Sequence, residues 1–137
     1  MIEESVSRIR EIKERDEKPF SIIVPDINFV FENCVVNREA EEKLKLLPGP
    51  YTFFLSLKNK NSIATAINPQ DNNQSVGVRI PDVWFTEFIK ESNAPFVTTS
   101  VNKSGESYMT NLENLDKDIF EKVDYIIYEG EIDNGVS

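Results

Sequence analysis

The stretch Ile9-Arg10-Glu11-Ile12-Lys13-Glu14-Arg15-Asp16-Glu17-Lys18-Pro19-Phe20-Ser21-Ile22-Ile23-Val24-Pro25 changes its hydrophobic period halfway along. Its first part continues the spacing of Ile2 and Val6. Apolar residues recur every three or four positions with charges between them, which predicts an amphipathic helix over Glu3 to Arg15. Its second part, Phe20 to Val24, is a β-branched run between two prolines and predicts a buried strand. A one-sided helix leading into a strand implies a sheet with helices packed on it.

The same mixture continues outward. Asp26 is placed to cap a short helix over Ile27 to Glu32. Asn37 would cap a second helix over Arg38 to Leu47, which Pro48-Gly49-Pro50 stops. Tyr51 to Leu57 is the run richest in β-forming residues. A turn at Lys58 to Asn61 follows. Ile63 to Ile67 reads as a strand or an irregular connection, and Pro69 to Gln74 as a polar loop. Ser75-Val76-Gly77-Val78-Arg79-Ile80 alternates and ends at Pro81, so it should deliver Arg79 at a strand end, with Ser75 on the same face. Asp82 is expected to cap a helix over Val83 to Glu91 whose apolar face carries Trp84, Phe85, Phe88 and Ile89. Pro95 to Thr99 predicts a short strand. Asn111 to Phe120 predicts a helix with Leu112, Leu115, Ile119 and Phe120 inward, and Val123 to Tyr128 a last strand. The expected class is α/β (α+β), in one domain over residues 1–137.

Composition removes several kinds of chemistry. Histidine is absent, which excludes Ser-His-Asp and Cys-His catalysis, His-ligated metals and an imidazole switch. The single cysteine, Cys34, precedes Val35-Val36 and reads as a small core residue. A free thiol fits a reducing compartment. Neither a GxxxxGK[ST] loop nor a GxGxxG turn is present. No set of metal ligands is singled out. The net charge of −9 disfavours general nucleic-acid binding but allows a local basic patch. The longest apolar run is too short to span a bilayer, and the acidic start lacks a basic flank, so a cytoplasmic location is expected.

Two polar clusters carry the functional signal. One is Lys13-Glu14-Arg15 with Lys18-Pro19 behind it. The other is Thr98-Thr99-Ser100-Val101-Asn102-Lys103-Ser104-Gly105. Lys13 and Arg15 lie where a helix ends and can turn toward one phosphate, Arg as a planar fork and Lys as a mobile charge. The structural alternative is a solvated helix end with local pairs to Glu11, Glu14 and Glu17. Ser100, Asn102, Ser104 and Gly105 lie along a turn of the kind that exposes N–H groups to an anion. An ordinary polar turn is the alternative. Arg79 could clamp a carboxylate or phosphate, or pair with a surface acid. Neither cluster contains a nucleophile–base pair, so positioning and charge are the chemistry on offer.

Four blocks together resemble the YrdC/Sua5/YciO family. They are Lys13-x-Arg15 with Lys18-Pro19-Phe20, Leu46-Leu47-Pro48-Gly49-Pro50-Tyr51-Thr52-Phe53, Val76-Gly77-Val78-Arg79-Ile80-Pro81, and Thr98 to Gly105. Their order and spacing match from about Ile9 to the C-terminus. The resemblance implies a twisted mixed sheet with packed helices around a concave groove. It also implies an L-threonylcarbamoyladenylate synthase, which joins L-threonine, bicarbonate and ATP into threonylcarbamoyl-AMP and releases pyrophosphate. Mg2+ would come with the nucleotide. The product serves tRNA modification, so tRNA or double-stranded RNA and tRNA-modification proteins are the implied partners.

Residue by residue, Lys13 and Arg15 match the basic pair on the phosphates, and Ser100 and Asn102 the polar pair of the same site. Ser75 and Thr110 fall at nucleotide-contacting positions. Arg79 matches the arginine that holds the threonine carboxylate, with Ser100 nearby and Ser137 a looser match near the amino acid. The family's T-x-T-x-Y-G segment has no counterpart, so a domain incomplete at its N-terminus is expected, and the C-terminal match also stops short at Ser137. Ile23 stands where synthases often carry histidine. A shortened, non-catalytic nucleotide- or RNA-binding module is the alternative. The related domain of a hydrogenase-maturation carbamoyltransferase is a third reading.

Overall fold

The computed structural model describes residues 3–130. Helix α1 spans Glu3–Ile12, strand β1 Ser21–Ile23, helix α2 Ile27–Asn33 and helix α3 Arg38–Leu44. Strand β2 covers Phe53–Ser56 and β3 Ser75–Arg79, with short 3-10 turns between them. Helix α4 (Thr86–Ser92), strand β4 (Phe96–Thr98) and helix α5 (Lys117–Lys122) complete the regular elements. The strands form one mixed sheet in the order β2-β3-β1-β4. β1 runs parallel to β3, while β2–β3 and β1–β4 are antiparallel. The mixed sheet with helices agrees with the expected class.

Strand alternation gives the sheet two different faces. On one face Ile22, Val76 and Val78 are buried and join Phe20, Val24 and Ile80 in the core with Val6 of α1, Val30 of α2 and Leu44 of α3. Cys34 is fully buried in the same cluster, as expected, and burial pushes its thiol pKa up. The other face carries the odd-numbered residues of β1 and β3. Ser21 lies between Gly77 and Thr98, and Ile23 lies between Arg79 and Phe96. Ser21, Arg79 and Thr98, which line the cavity described below, are on this second face.

Gly77 sits at a close approach on that face. A Cβ there would meet Ser21 Oγ at 2.9 Å, Thr52 Cγ2 at 3.1 Å and Phe54 Cε1 at 3.2 Å. Serine and the exposed Phe54 ring can give way to one methyl, but a branched side chain would overpack all three. Gly77→Val is therefore predicted to lower stability by about 1–3 kcal/mol in urea unfolding. An unchanged midpoint would contradict the close approach.

Several elements differ from expectation. Helix α1 stops at Ile12 because Glu14 takes a left-handed backbone (φ 48°), which turns the chain. Helix α3 ends at Leu44, and the next residues tighten into bonds from Leu46 N to Lys43 O and Leu47 N to Leu44 O. Residues 63–67 are irregular, ending in a 3-10 turn. Helix α4 starts at Thr86, after a turn through Val83 to Phe85, so Asp82 is not its cap. Of its expected inward face only Ile89 is buried, while Trp84 packs edge-on against Phe85 and Phe88. The helix expected over 111–120 divides. Asn111 and Asn114 build a capping box around a 3-10 turn, and Asp116 caps α5 afresh. The strand expected over Val123 to Tyr128 does not form. That segment is exposed, with Tyr125 91% and Ile127 76% accessible. It has no ladder partner among the described residues, and Arg8 holds its start through Lys122 O and Asp124. Among the described residues no helix is long and apolar enough to cross a membrane.

Candidate functional site

The chain turns sharply after α1 because Glu14 adopts its left-handed conformation. That turn carries Arg15 toward the β1 end of the sheet, where a cavity of about 300 Å³ opens. Arg15, Pro19, Phe20, Ser21, Arg79, Thr98, Thr99 and Ser100 line it. Two of its guanidinium groups thus come from distant segments, one from the basic loop and one from the end of β3.

Arg15 is held by its own loop. Its Nη2 donates to Pro19 O at 2.7 Å and its Nε to Lys18 O at 3.2 Å. Its guanidinium carbon lies 4.9 Å from the Phe20 ring centroid, a cation–π contact. Burial lowers its pKa, without approaching deprotonation at neutral pH. Arg79 is placed by the register that sets it beside Ile23. Its Nε is buried and has no hydrogen-bond partner among the described residues. Among the described residues neither Arg15 nor Arg79 has a salt-bridge partner, although acids outnumber bases 24 to 15 in the chain. A pair of guanidiniums left without carboxylates, beside hydroxyls of Ser21, Thr98, Thr99 and Ser100, is suited to an anionic ligand.

Lys13 plays a different part. It is only 4% exposed, and its ammonium donates to the carbonyls of both Ser100 and Asn102. The backbone adds Ser104 N to Lys13 O at 3.0 Å. Burial, then the neighbouring Arg15 charge, lowers the Lys13 pKa. Ser100 Oγ donates to Asn102 Oδ1 at 2.5 Å, and Asn102 Nδ2 donates to Lys103 O and Glu106 O. Lys103 bridges Glu14 at 2.9 Å and Asp118 at 2.6 Å, which raises its pKa and lowers that of Asp118. The basic turn and the 100–104 loop are therefore laced together, as the sequence suggested, but Lys13 grips the loop instead of lining the cavity. Glu14 pairs with Lys103, not with Lys13 or Arg15.

Other expected site residues fall elsewhere. Ser75 lies at the far end of β3, where its Oγ donates to Asp71 Oδ2 at 2.5 Å. Thr110 is exposed, and its Oγ1 accepts from Asn114 Nδ2 at 2.8 Å. Neither lines the cavity. Ser137 lies outside the described residues. The sequence reading missed Ser21. Its signal was a lone hydroxyl in an otherwise apolar strand, on the side opposite Ile22.

A family model for Sua5, YciO and YrdC proteins, described as telomere recombination, matches residues 1–137. The chain is 38% identical over 128 residues to a Methanocaldococcus jannaschii protein named provisionally as a threonylcarbamoyl-AMP synthase. That alignment covers 91% of this chain and 58% of the relative, so the chain spans little more than half the length of the curated protein it matches. The crystal structure of P. abyssi Sua5 complexed with L-threonine is similar at a TM-score of 0.79 and 28% identity, over 94% of this chain and 38% of that one. A full-length HypF in its phosphate- and nucleotide-bound form gives a TM-score of 0.68 at 29% identity, over 82% of this chain and 17% of that one. Matched from its first residue to its last by the family's model, the chain belongs to the Sua5/YciO/YrdC family.

Proposed function

We propose that this chain forms, alone or as part of a longer protein, the nucleotide and amino-acid site of an L-threonylcarbamoyladenylate synthase. The single observation that carries the reading is the cavity with Arg15 and Arg79 on its wall and, among the described residues, no carboxylate paired to either. In this reading Arg15 and Ser100 meet the phosphates of ATP, and Arg79 receives the carboxylate of L-threonine. Lys13 and Asn102 shape the phosphate loop from behind. The L-threonine bound to P. abyssi Sua5 and the phosphate and nucleotide bound to HypF support these ligand classes.

The chemistry fits the residues available. Attack of threonylcarbamate oxygen on the α-phosphorus forms the acyl–phosphate bond and expels pyrophosphate. Negative charge develops on the leaving group, and fixed cations lower that barrier without a protein nucleophile. Among the described residues no group of three or more acids or Cys is placed to cage a metal ion. The Mg2+ assigned here would therefore be carried by the phosphates. The product would pass to a tRNA-modifying reaction.

Incubation with ATP, Mg2+, bicarbonate and L-threonine is expected to release pyrophosphate in a threonine-dependent manner. Nucleotide binding without pyrophosphate would replace this reading by the non-catalytic module. No nucleotide binding at all would overturn the site assignment.

A further inference from the structure

Arg10 lies outside the cavity lining, yet it has the densest set of polar contacts near the site. Its Nε donates to Ala66 O at 2.7 Å and its Nη2 to Ile67 O at 3.1 Å. Its Nη1 donates to Lys18 O at 3.0 Å and also to Asp16 O. One guanidinium thus joins the loop that carries Arg15 to the 3-10 turn Thr65–Ile67. Phe20 N strengthens the same seam by donating to Ile67 O at 2.9 Å. The Arg10 guanidinium carbon lies 4.5 Å from the Phe20 ring centroid, and that of Arg15 lies 4.9 Å from the same centroid. Phe20 is 2% exposed, so the ring is a fixed reference for both.

We infer that Arg10, acting through Phe20 and the carbonyls of residues 16–18, is the positioning residue that holds the Arg15 guanidinium in the cavity. The physical argument is one of geometry and charge. Lys18 O accepts from both Arg10 Nη1 and Arg15 Nε, so a shift of that carbonyl moves both side chains. Two like charges sharing one aromatic ring repel, and without fixed acceptors Arg15 would swing to solvent. The carbonyls and the ring's negative face offset that repulsion at both cations. A lysine at position 10 has one compact ammonium and cannot span acceptors on two segments with a planar fork. The nucleotide consequence of this inference rests on the function proposed above. The positioning itself does not.

The test follows the Arg15 Nε–Hε resonance in 15N-labelled protein, together with ATP–Mg2+ affinity by calorimetry. In the parent chain that resonance should be displaced by the Phe20 ring current and slow to exchange. In Arg10→Met and Arg10→Lys it should move to the position of a free arginine, and ATP affinity should weaken at least about tenfold. Arg8→Ala, at an exposed position of the same helix, should leave both unchanged. Urea unfolding of each variant separates loss of positioning from loss of fold, and Arg10→Lys stands in if Arg10→Met does not fold. An Arg15 resonance unaffected in the folded variants overturns the inference. A collapsed resonance with unchanged ATP affinity upholds the positioning and overturns the placement of Arg15 on the nucleotide. If the resonance collapses but the parent chain binds no ATP, the positioning stands and the nucleotide reading falls.

Discussion

Arg79→Ala is expected to reduce threonine-dependent pyrophosphate release by about 100-fold, since a lost charged fork contact is worth roughly 3 kcal/mol. The loss should appear in the dependence on threonine, while ATP affinity changes little. This split follows from placement. Arg79 ends β3 beside Ile23, on the sheet face that carries the cavity, and Arg15 approaches from the basic loop. Among the described residues its buried Nε makes no hydrogen bond, an expensive arrangement in a folded chain. Arg79 lines the cavity, so a carboxylate bound there would accept from its guanidinium fork. The same reasoning fixes the sign of the stability change. Removing an unsatisfied buried donor relieves its desolvation penalty, so Arg79→Ala should unfold no more easily than the parent chain, and up to about 1 kcal/mol less easily. Arg79→Lys should not restore threonine use, because an ammonium lacks the fork. Equal losses in ATP and threonine affinity would argue that Arg79 binds the nucleotide instead.

What the sequence made legible depended on the range of the forces involved. Period and turn chemistry located α1, β1, α2 and β3 to within a few residues, because local backbone preference and one buried face agreed there. The caps at Asp26 and Asn37 were readable for the same reason, and both accept from the N–H three residues on. The strand expected over 123–128 failed because β-branched and aromatic content does not supply a neighbouring edge to pair with. The inward face expected of α4 failed similarly. Trp84 and Phe88 satisfy each other at the surface, a choice set by tertiary placement.

The two polar clusters of the candidate site were legible in the sequence, but the way they meet was not. The basic turn and the Ser100 loop do meet, although 87 residues separate Lys13 from Ser100. Spacing alone could not reveal that Lys13 would face the loop's carbonyls while Arg15 faces the cavity. That division is set by Glu14, whose left-handed backbone separates the two cations. Arg10 is one of the charges between the apolar positions of α1, and nothing local indicates that the carbonyls of Ala66 and Ile67 will arrive beside it.

Lys13→Met is expected to weaken ATP binding at least about tenfold, even though Lys13 does not line the cavity. The ammonium is the donor that draws the Ser100 and Asn102 carbonyls together, and Ser100 lies on the cavity wall. Methionine fills similar volume but offers no donor. Two carbonyls would lose a charged partner, while the burial penalty of the ammonium would disappear. The balance should be a loss of about 1–2 kcal/mol of stability, with the larger effect on binding. Alkaline pH offers a second view of the same group. Burial and the Arg15 charge hold the Lys13 pKa below its ordinary value. Between that lowered value and the ordinary one, the unfolded chain binds a proton at Lys13 that the folded chain has released. Raising the pH through this window therefore increases the Lys13 contribution to stability. It also removes the positive charge and weakens the grip on the loop, so nucleotide affinity should fall across the same window. Stability and affinity would move in opposite directions, and Lys13→Met should remove the Lys13 share of both trends. Parallel pH dependence in the parent and the variant would show that another group titrates there, and an unchanged ATP affinity in Lys13→Met would show that Lys13 does not hold the Ser100 loop for the nucleotide.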